Sequence, residues 1–179
     1  GNGAIDTSGS ADGQSGGFIK LYHSSSFFNN GTINSAGADS ATATAGSGGQ
    51  VEIQAEYNFE NTGTITTSGG AATGSAGHGG HAGGISIRAN FAMNNSGNLT
   101  ASGGDGIDRG GYGAEISFRI INAGDLRNSG DLDTSGGNAT GGDGGKSCHV
   151  VFDVAGGGII NSGNITTNGY EWSAEMENI

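Results

Sequence analysis

Apolar residues recur along this chain in two short blocks separated by glycine-rich stretches. The first block alternates apolar and polar residues: Ile19-Lys20-Leu21, Val51-Glu52-Ile53, Ile85-Ser86-Ile87, Ile116-Ser117-Phe118 and the more continuous Val150-Val151-Phe152-Asp153-Val154. Alternation at period two, rich in β-branched residues, predicts strands with one buried face. The second block places an apolar residue (Phe27, Phe59, Met93, Leu126, Ile159) two positions before an asparagine, and a glycine and an Ile or Leu then follow at intervals of two. In an extended chain Phe59, Asn61, Gly63 and Ile65 then point to one side, which predicts a second strand whose inward row carries an amide.

These blocks belong to a repeat. Asn61-Thr62-Gly63-Thr64-Ile65-Thr66-Thr67-Ser68-Gly69-Gly70 returns as Asn95 to Gly104 and as Asn128 to Gly137, with degenerate copies from Asn29 and Asn161 and a truncated one at Gly3. The anchor glycines Gly3, Gly31, Gly63, Gly97, Gly130 and Gly163 are 28, 32, 34, 33 and 33 residues apart. A period of this length is the signature of a solenoid. Ten residues separate Ile19, Val51, Ile85 and Val151 from the next asparagine, and twelve separate Ile116 from Asn128, whereas the gap from anchor glycine to next strand varies. The pattern therefore divides each repeat into a fixed rung and an adjustable glycine-rich connector.

Equivalent positions stacked turn upon turn form ladders about 4.8 Å apart. Ile5, Ile33, Ile65, Leu99, Leu132 and Ile165 are the expected apolar ladder, and Asn29, Asn61, Asn95, Asn128 and Asn161 the expected amide ladder. Stacked amides satisfy one another's polar groups, which would each cost roughly 1–3 kcal/mol if buried alone. A single repeat buries too little to offset its ordering entropy, so the stack is the folding unit.

Composition sharpens this picture. The chain has 179 residues, with 40 glycines, no proline and a formal charge of −11. Disorder scatters glycine without register, but Gly9, Gly37, Gly69, Gly103, Gly136 and Gly169 all fall six residues after an anchor glycine. The six basic residues are spread along the repeats instead of forming a stripe, which argues against nucleic acid as a partner. No apolar run approaches the roughly 18 residues of a membrane span, so membrane insertion is not expected. Cys148 is the single cysteine and cannot form an intrachain disulfide.

The run N-S-G-x-[IL]-x-[AT]-S-G-G, a glycine-rich linker and then G-x-[IV]-x-[IF] resembles the repeats of large secreted bacterial β-helix proteins of the filamentous-haemagglutinin-like adhesin type. The resemblance covers nearly all of residues 1–169, and the long glycine connectors depart from it. It implies a right-handed parallel β-helix at, or released from, a bacterial cell surface; surface glycans are a separate partner expectation.

Candidate chemistry is sparse. Gly103-Gly104-Asp105-Gly106-Ile107-Asp108 matches the start of a calcium-binding nonapeptide, yet Gly110 stands where its large apolar residue belongs, and no cofactor is expected. His78-Gly79-Gly80-His81 offers two imidazoles without a third ligand at a suitable spacing. Asp105, Asp108, Arg109, Asp143 and Lys146 lie at equivalent heights of successive connectors, the place where a polysaccharide-cleaving β-helix would carry its groups. No aromatic sugar platform is evident beside them, so the favoured reading is not an enzyme.

The expectation is an all-β parallel β-helix of about five to six rungs over residues 1–169, followed by a cap or donated strand over residues 170–179. Its function is read as structural and adhesive, outside the cell, and the alternative is a carbohydrate-binding or carbohydrate-cleaving β-helix. The chain opens inside a repeat without an initiating Met, which suggests an upstream segment cut away. Gly3 and Ile5 at one end, and alternating Tyr170, Trp172 and Met176 at the other, are the residues expected to join copies head to tail into a filament.

Overall fold

The computed structural model of the protein describes residues 3–169. Within them the chain coils through sixteen short strands, all paired in parallel, and contains no helix. The strands, numbered in chain order, form three sheets. The first holds β1 (Ala4–Asp6), β4 (Thr32–Asn34), β7 (Thr64–Thr66), β10 (Leu99–Thr100), β13 (Leu132–Asp133) and β16 (Ile165–Thr166). The second holds β2 (Ile19–His23), β5 (Val51–Ala55), β8 (Ile85–Ala89), β11 (Ile116–Ile120) and β14 (Val150–Val154). The third holds β3 (Phe27–Asn29), β6 (Phe59–Asn61), β9 (Met93–Asn95), β12 (Leu126–Asn128) and β15 (Ile159–Asn161).

Each turn visits the second, third and first sheet in that order and then returns through the glycine-rich segment. The protein is thus an all-β parallel β-solenoid. Between β2 and β14 the coil completes four turns, slightly fewer than the five to six rungs expected. Inward side chains fill a narrow core: Ile33, Ile65, Leu99 and Leu132 from the first sheet, Ile53, Ile87 and Phe118 from the second, and Phe59, Met93 and Leu126 from the third. Each is at most 1% exposed, because the neighbouring turns close over it.

Two sequence expectations change. The run from Phe59 to Ile65 is not one strand: the chain turns at Thr62 and Gly63, so Phe59 and Asn61 belong to the third sheet and Ile65 to the first. All three still face inward, since a corner preserves which side of the chain meets the core. In the last turn Val150, not Val151, pairs with Ile116. The uninterrupted run Val150-Val151-Phe152 hides the alternation that marks register elsewhere. The longer spacing from Ile116 to Asn128 lies in the corner between β11 and β12, where five residues (121–125) replace the three found at 90–92.

The connectors are packed structure, not adjustable loops. Each is a hairpin whose outgoing arm continues from the first sheet and whose return arm leads into the second. Return arms bond along the axis at every third residue: Ala45, Gly48 and Val51 donate their N–H groups to the carbonyls of His78, His81 and Gly84. Three residues is the repeat of an extended polyproline-type helix, not of a β-strand. Across the hairpin, Gly80 N–H donates to Gly70 and Gly83 N–H to Thr67, again three residues apart.

These bonds join into one relay along the solenoid. Ala38 N–H donates to Gln14, Gly46 to Ala38, Gly70 to Gly46, Gly80 to Gly70, Gly104 to Gly80, Gly111 to Gly104, Gly137 to Gly111 and Gly145 to Gly137, at 2.7–2.9 Å. Such closeness has a steric condition. A Cβ added at Gly70, Gly80, Gly104 or Gly111 would collide with a backbone carbonyl of the adjoining turn, which no side-chain motion relieves. Glycine fits because its hydrogen points at that oxygen, the arrangement of a Cα–H···O contact. Variation in repeat length is confined to the hairpin tips and the corner between the second and third sheets, which also holds four residues (155–158) in the last turn. From the outgoing to the return relay residue the chain advances 8, 10, 7 and 8 positions (Ala38 to Gly46, Gly70 to Gly80, Gly104 to Gly111, Gly137 to Gly145).

Gly80→Ala is accordingly expected to cost roughly 1–3 kcal/mol or more by overpacking. Gly84→Ala, where an added Cβ meets nothing closer than the Glu115 oxygen at 3.5 Å, stays within about 0.5 kcal/mol of the parent. Denaturant unfolding of the two variants checks this, and equal effects would show that the arms are loosely packed. Three Gly/Ser residues inserted at the tip, between Ser75 and Ala76, leave the melting temperature nearly unchanged. The same insertion after Gly80 lowers it sharply by breaking the relay.

Candidate functional site

Two kinds of side-chain row run along the solenoid, one inside and one outside. The inner polar row is the amide column. Asn29, Asn61, Asn95 and Asn128 each donate from Nδ2 to the Oδ1 of the asparagine one turn on, ending at Asn161, with N···O distances of 2.6–2.7 Å. Each Nδ2 also donates to the carbonyl of the anchor glycine two residues later, for example Asn95 to Gly97 at 2.8 Å. Their own carbonyls accept the N–H groups that follow the corner one turn on, as Asn61 does from Ser96 and Gly97. Asn61, Asn95 and Asn128 are at most 1% exposed, and no buried side-chain nitrogen or oxygen among the described residues lacks a partner. The column therefore fixes the corner between the third and first sheets in every turn. Beside it run the aliphatic positions, Ile5↔Ile33, Ile33↔Ile65, Ile65↔Leu99, Leu99↔Leu132 and Leu132↔Ile165, paired strand to strand.

The residues named for assembly are only partly placed. Gly3 precedes β1, and Ile5 lies within it, 40% exposed. Tyr170, Trp172 and Met176, with the expected cap or donated strand over residues 170–179, lie outside the described residues.

The outer rows follow from the three-residue period of the return arms. Residues three apart stand side by side on the outer face, while the glycines between them enter the packed interior. Bridges pair His78 with Arg109 and Arg109 with Asp143, and the bond from Ala45 N–H to His78 O sets Thr44 in the same row. The second row reads Ser47, His81, Tyr112 and Lys146, set by the bonds of Gly48, Ala82 and Gly113 to His81, Tyr112 and Lys146. The steps from Thr44 to His78 and from Ser47 to His81 are steps from short to long side chains. They open a groove over Gly79 and Gly80 that is lined by Thr44, Ser47, His78, His81, Arg109 and Tyr112.

The imidazole of His81 stacks on the Tyr112 ring, with centroids 4.6 Å apart and planes 22° from parallel. Its Nδ1 accepts the Tyr112 backbone N–H at 2.8 Å, so neutral His81 carries its proton on Nε2. Sequence reasoning placed His78 and His81 in a flexible connector and found no aromatic beside the charged candidates. The three-residue spacing of His78/His81 and Arg109/Tyr112 was the available signal, and it becomes legible only once the arms are known to be three-fold helices.

The other candidates do not gather at this groove. Asp105, on an outgoing arm, accepts the Asn138 N–H at 2.7 Å and ties one turn to the next. Asp108 is an exposed residue near the hairpin tip. Asp12 reaches the following tip, where the Ala41 N–H and then the Thr42 hydroxyl hold its carboxylate below the usual range. His149 pairs with Glu115 at 3.1 Å on the second-sheet side, and Cys148 gives its N–H to Thr134, the backbone role that Gly83 plays with Thr67. Among the described residues no group of three or more His, Cys, Asp or Glu side chains converges as a metal site.

Comparison of the chain with protein-family models, curated proteins and solved structures finds no match.

Asn95→Leu is expected to lower stability by on the order of 1–3 kcal/mol, because it strands the Asn61 amide, the Asn128 Oδ1 and the Gly97 carbonyl in the core. A melting temperature equal to that of the parent would show that the column carries no stability.

Proposed function

We propose that the chain is a structural, adhesive and non-enzymatic β-solenoid that works outside the cell or at a bacterial cell surface, where it meets surface glycans. The observation that carries this reading is the register of the outward rows. Strand ladders, amide column and glycine relay hold every turn at a fixed height and rotation, so outward groups such as His78, Arg109 and Asp143 keep a constant axial order. A rod with ordered rows and shallow grooves suits contact with an extended polymer, and rigidity lowers the entropy lost when such a contact forms.

A further observation favours this reading over cleavage. The carboxylates considered for catalysis are dispersed: Asp105 caps a backbone N–H on the outgoing arm, while Asp143 lies in a return-arm row. General acid–base cleavage needs two such groups facing one bond. Head-to-tail growth is part of the proposal: turns stacked through parallel strands in register make a contact that repeats without closing on itself.

Sedimentation over a wide concentration range, with electron microscopy of the same samples, tests the assembly. Linear multiples that lengthen with concentration are expected, and a monomer at every concentration would refute head-to-tail growth. A reducing-end assay on a polysaccharide panel is expected to show no release, and sustained cleavage would reverse the non-enzymatic reading.

A further inference from the structure

We infer that the groove on the return-arm face is a binding site for a carboxylate-bearing sugar unit of an acidic polysaccharide. This rests on the adhesive reading above and gives it a location, a ligand class and residues.

The argument begins with charge. The chain has a formal charge of −11 and six Lys and Arg residues, and three of these are paired with carboxylates: Lys20 with Glu52, Arg119 with Asp153 and Arg127 with Asp125. Arg109 forms no ion pair among the described residues, although Asp143 follows it in the row. Its guanidinium is therefore available to an external acceptor, and its planar fork suits a carboxylate.

The neighbouring groups add donors. Neutral His81 keeps its Nε2–H for an outside partner, because its Nδ1 is occupied by the Tyr112 N–H. Thr44 and Ser47 contribute hydroxyls at the groove, and His78 a second imidazole. A surface of donors around an uncommitted guanidinium calls for an acceptor-rich anion.

Shape selects a sugar over an acidic peptide. Tyr112 covers one face of the His81 ring, and the other looks along the row toward the short side chain of Ser47. That leaves a flat wall beside a notch one residue deep, with glycine backbone as its floor. A pyranose ring lies against such a wall with its axial hydrogens toward the π-face, while its hydroxyls meet Thr44 and Ser47. The carboxylate then points across the groove to Arg109 and His78. The wall is already fixed by stacking and by a hydrogen bond, so little ordering is required when ligand arrives.

Binding of the whole chain to polygalacturonate and alginate is measured beside amylose as a neutral control and polyglutamate as a peptide carboxylate. Expected is binding to the two uronate polymers that weakens with salt, with at least tenfold lower affinity for amylose and for polyglutamate. Arg109→Ala and His81→Ala each lower uronate affinity at least tenfold, and Arg109→Lys recovers only part of the loss. Ser47→Trp, which fills the notch and leaves the charge unchanged, abolishes binding. Arg109 and His81 are exposed and Ser47 is half-buried, and an unchanged thermal melt for each of the four variants shows that folding is not the cause. Equal binding of polyglutamate or amylose overturns the uronate assignment. Uronate binding that survives both Arg109→Ala and Ser47→Trp overturns the groove, while leaving glycan adhesion by another face standing. Failure of the parent chain to bind any polysaccharide overturns this inference and the adhesive reading together.

Discussion

Hydrogen bonding along the axis is the interaction on which everything else here depends. No turn of the coil has a core of its own: Ile65 and Leu99 are sealed by each other and by the turns beyond them. Backbone groups that a compact domain would satisfy within a sheet or helix are satisfied here by the adjoining turn, in three ways along one contour. Strand ladders do it on the three sheets, the amide column does it at one corner, and the glycine relay does it through the connector. The third extends order into a region without an apolar interior, where contact between backbones replaces contact between side chains.

That substitution explains the composition. Glycine is costly to order, and a folded region built from it needs a compensating contact that only glycine permits. The collision awaiting a Cβ at Gly80 or Gly104 is the counterpart of the bond each makes to its neighbour. The absence of proline fits the same demand, since relay and ladder positions all need an N–H. Tips such as 73–77 lie outside the relay and are where the connector length varies.

The fold class and the inner rows were legible because they repeat once per turn with period-two alternation, a pattern that burial imposes directly. Register failed where that signal lapses, at Val150-Val151-Phe152, and the corner at Gly63 was missed because turning the chain there leaves the inward positions unchanged. The connectors were misread for a physical reason. Their arms have a three-residue period, and backbone–backbone packing leaves no apolar mark, so the varying gap from anchor glycine to next strand was read as an adjustable connector. The groove was hidden by the same error: His78 and Arg109, 31 positions apart, become neighbours only when the arms stack.

The amide column and the glycine relay also give the rod a direction. Each asparagine donates toward the later turn, from Asn29 through to Asn161, whereas the relay bonds that cross between turns, from Ala38, Gly70, Gly104 and Gly137, donate toward the earlier one. The two series of dipoles are antiparallel, so at any cut across the rod one face offers donors in the column and acceptors in the relay, and the facing surface offers the reverse. A turn stacked in the same sense meets donor with acceptor at both places, and this makes the rod a vector.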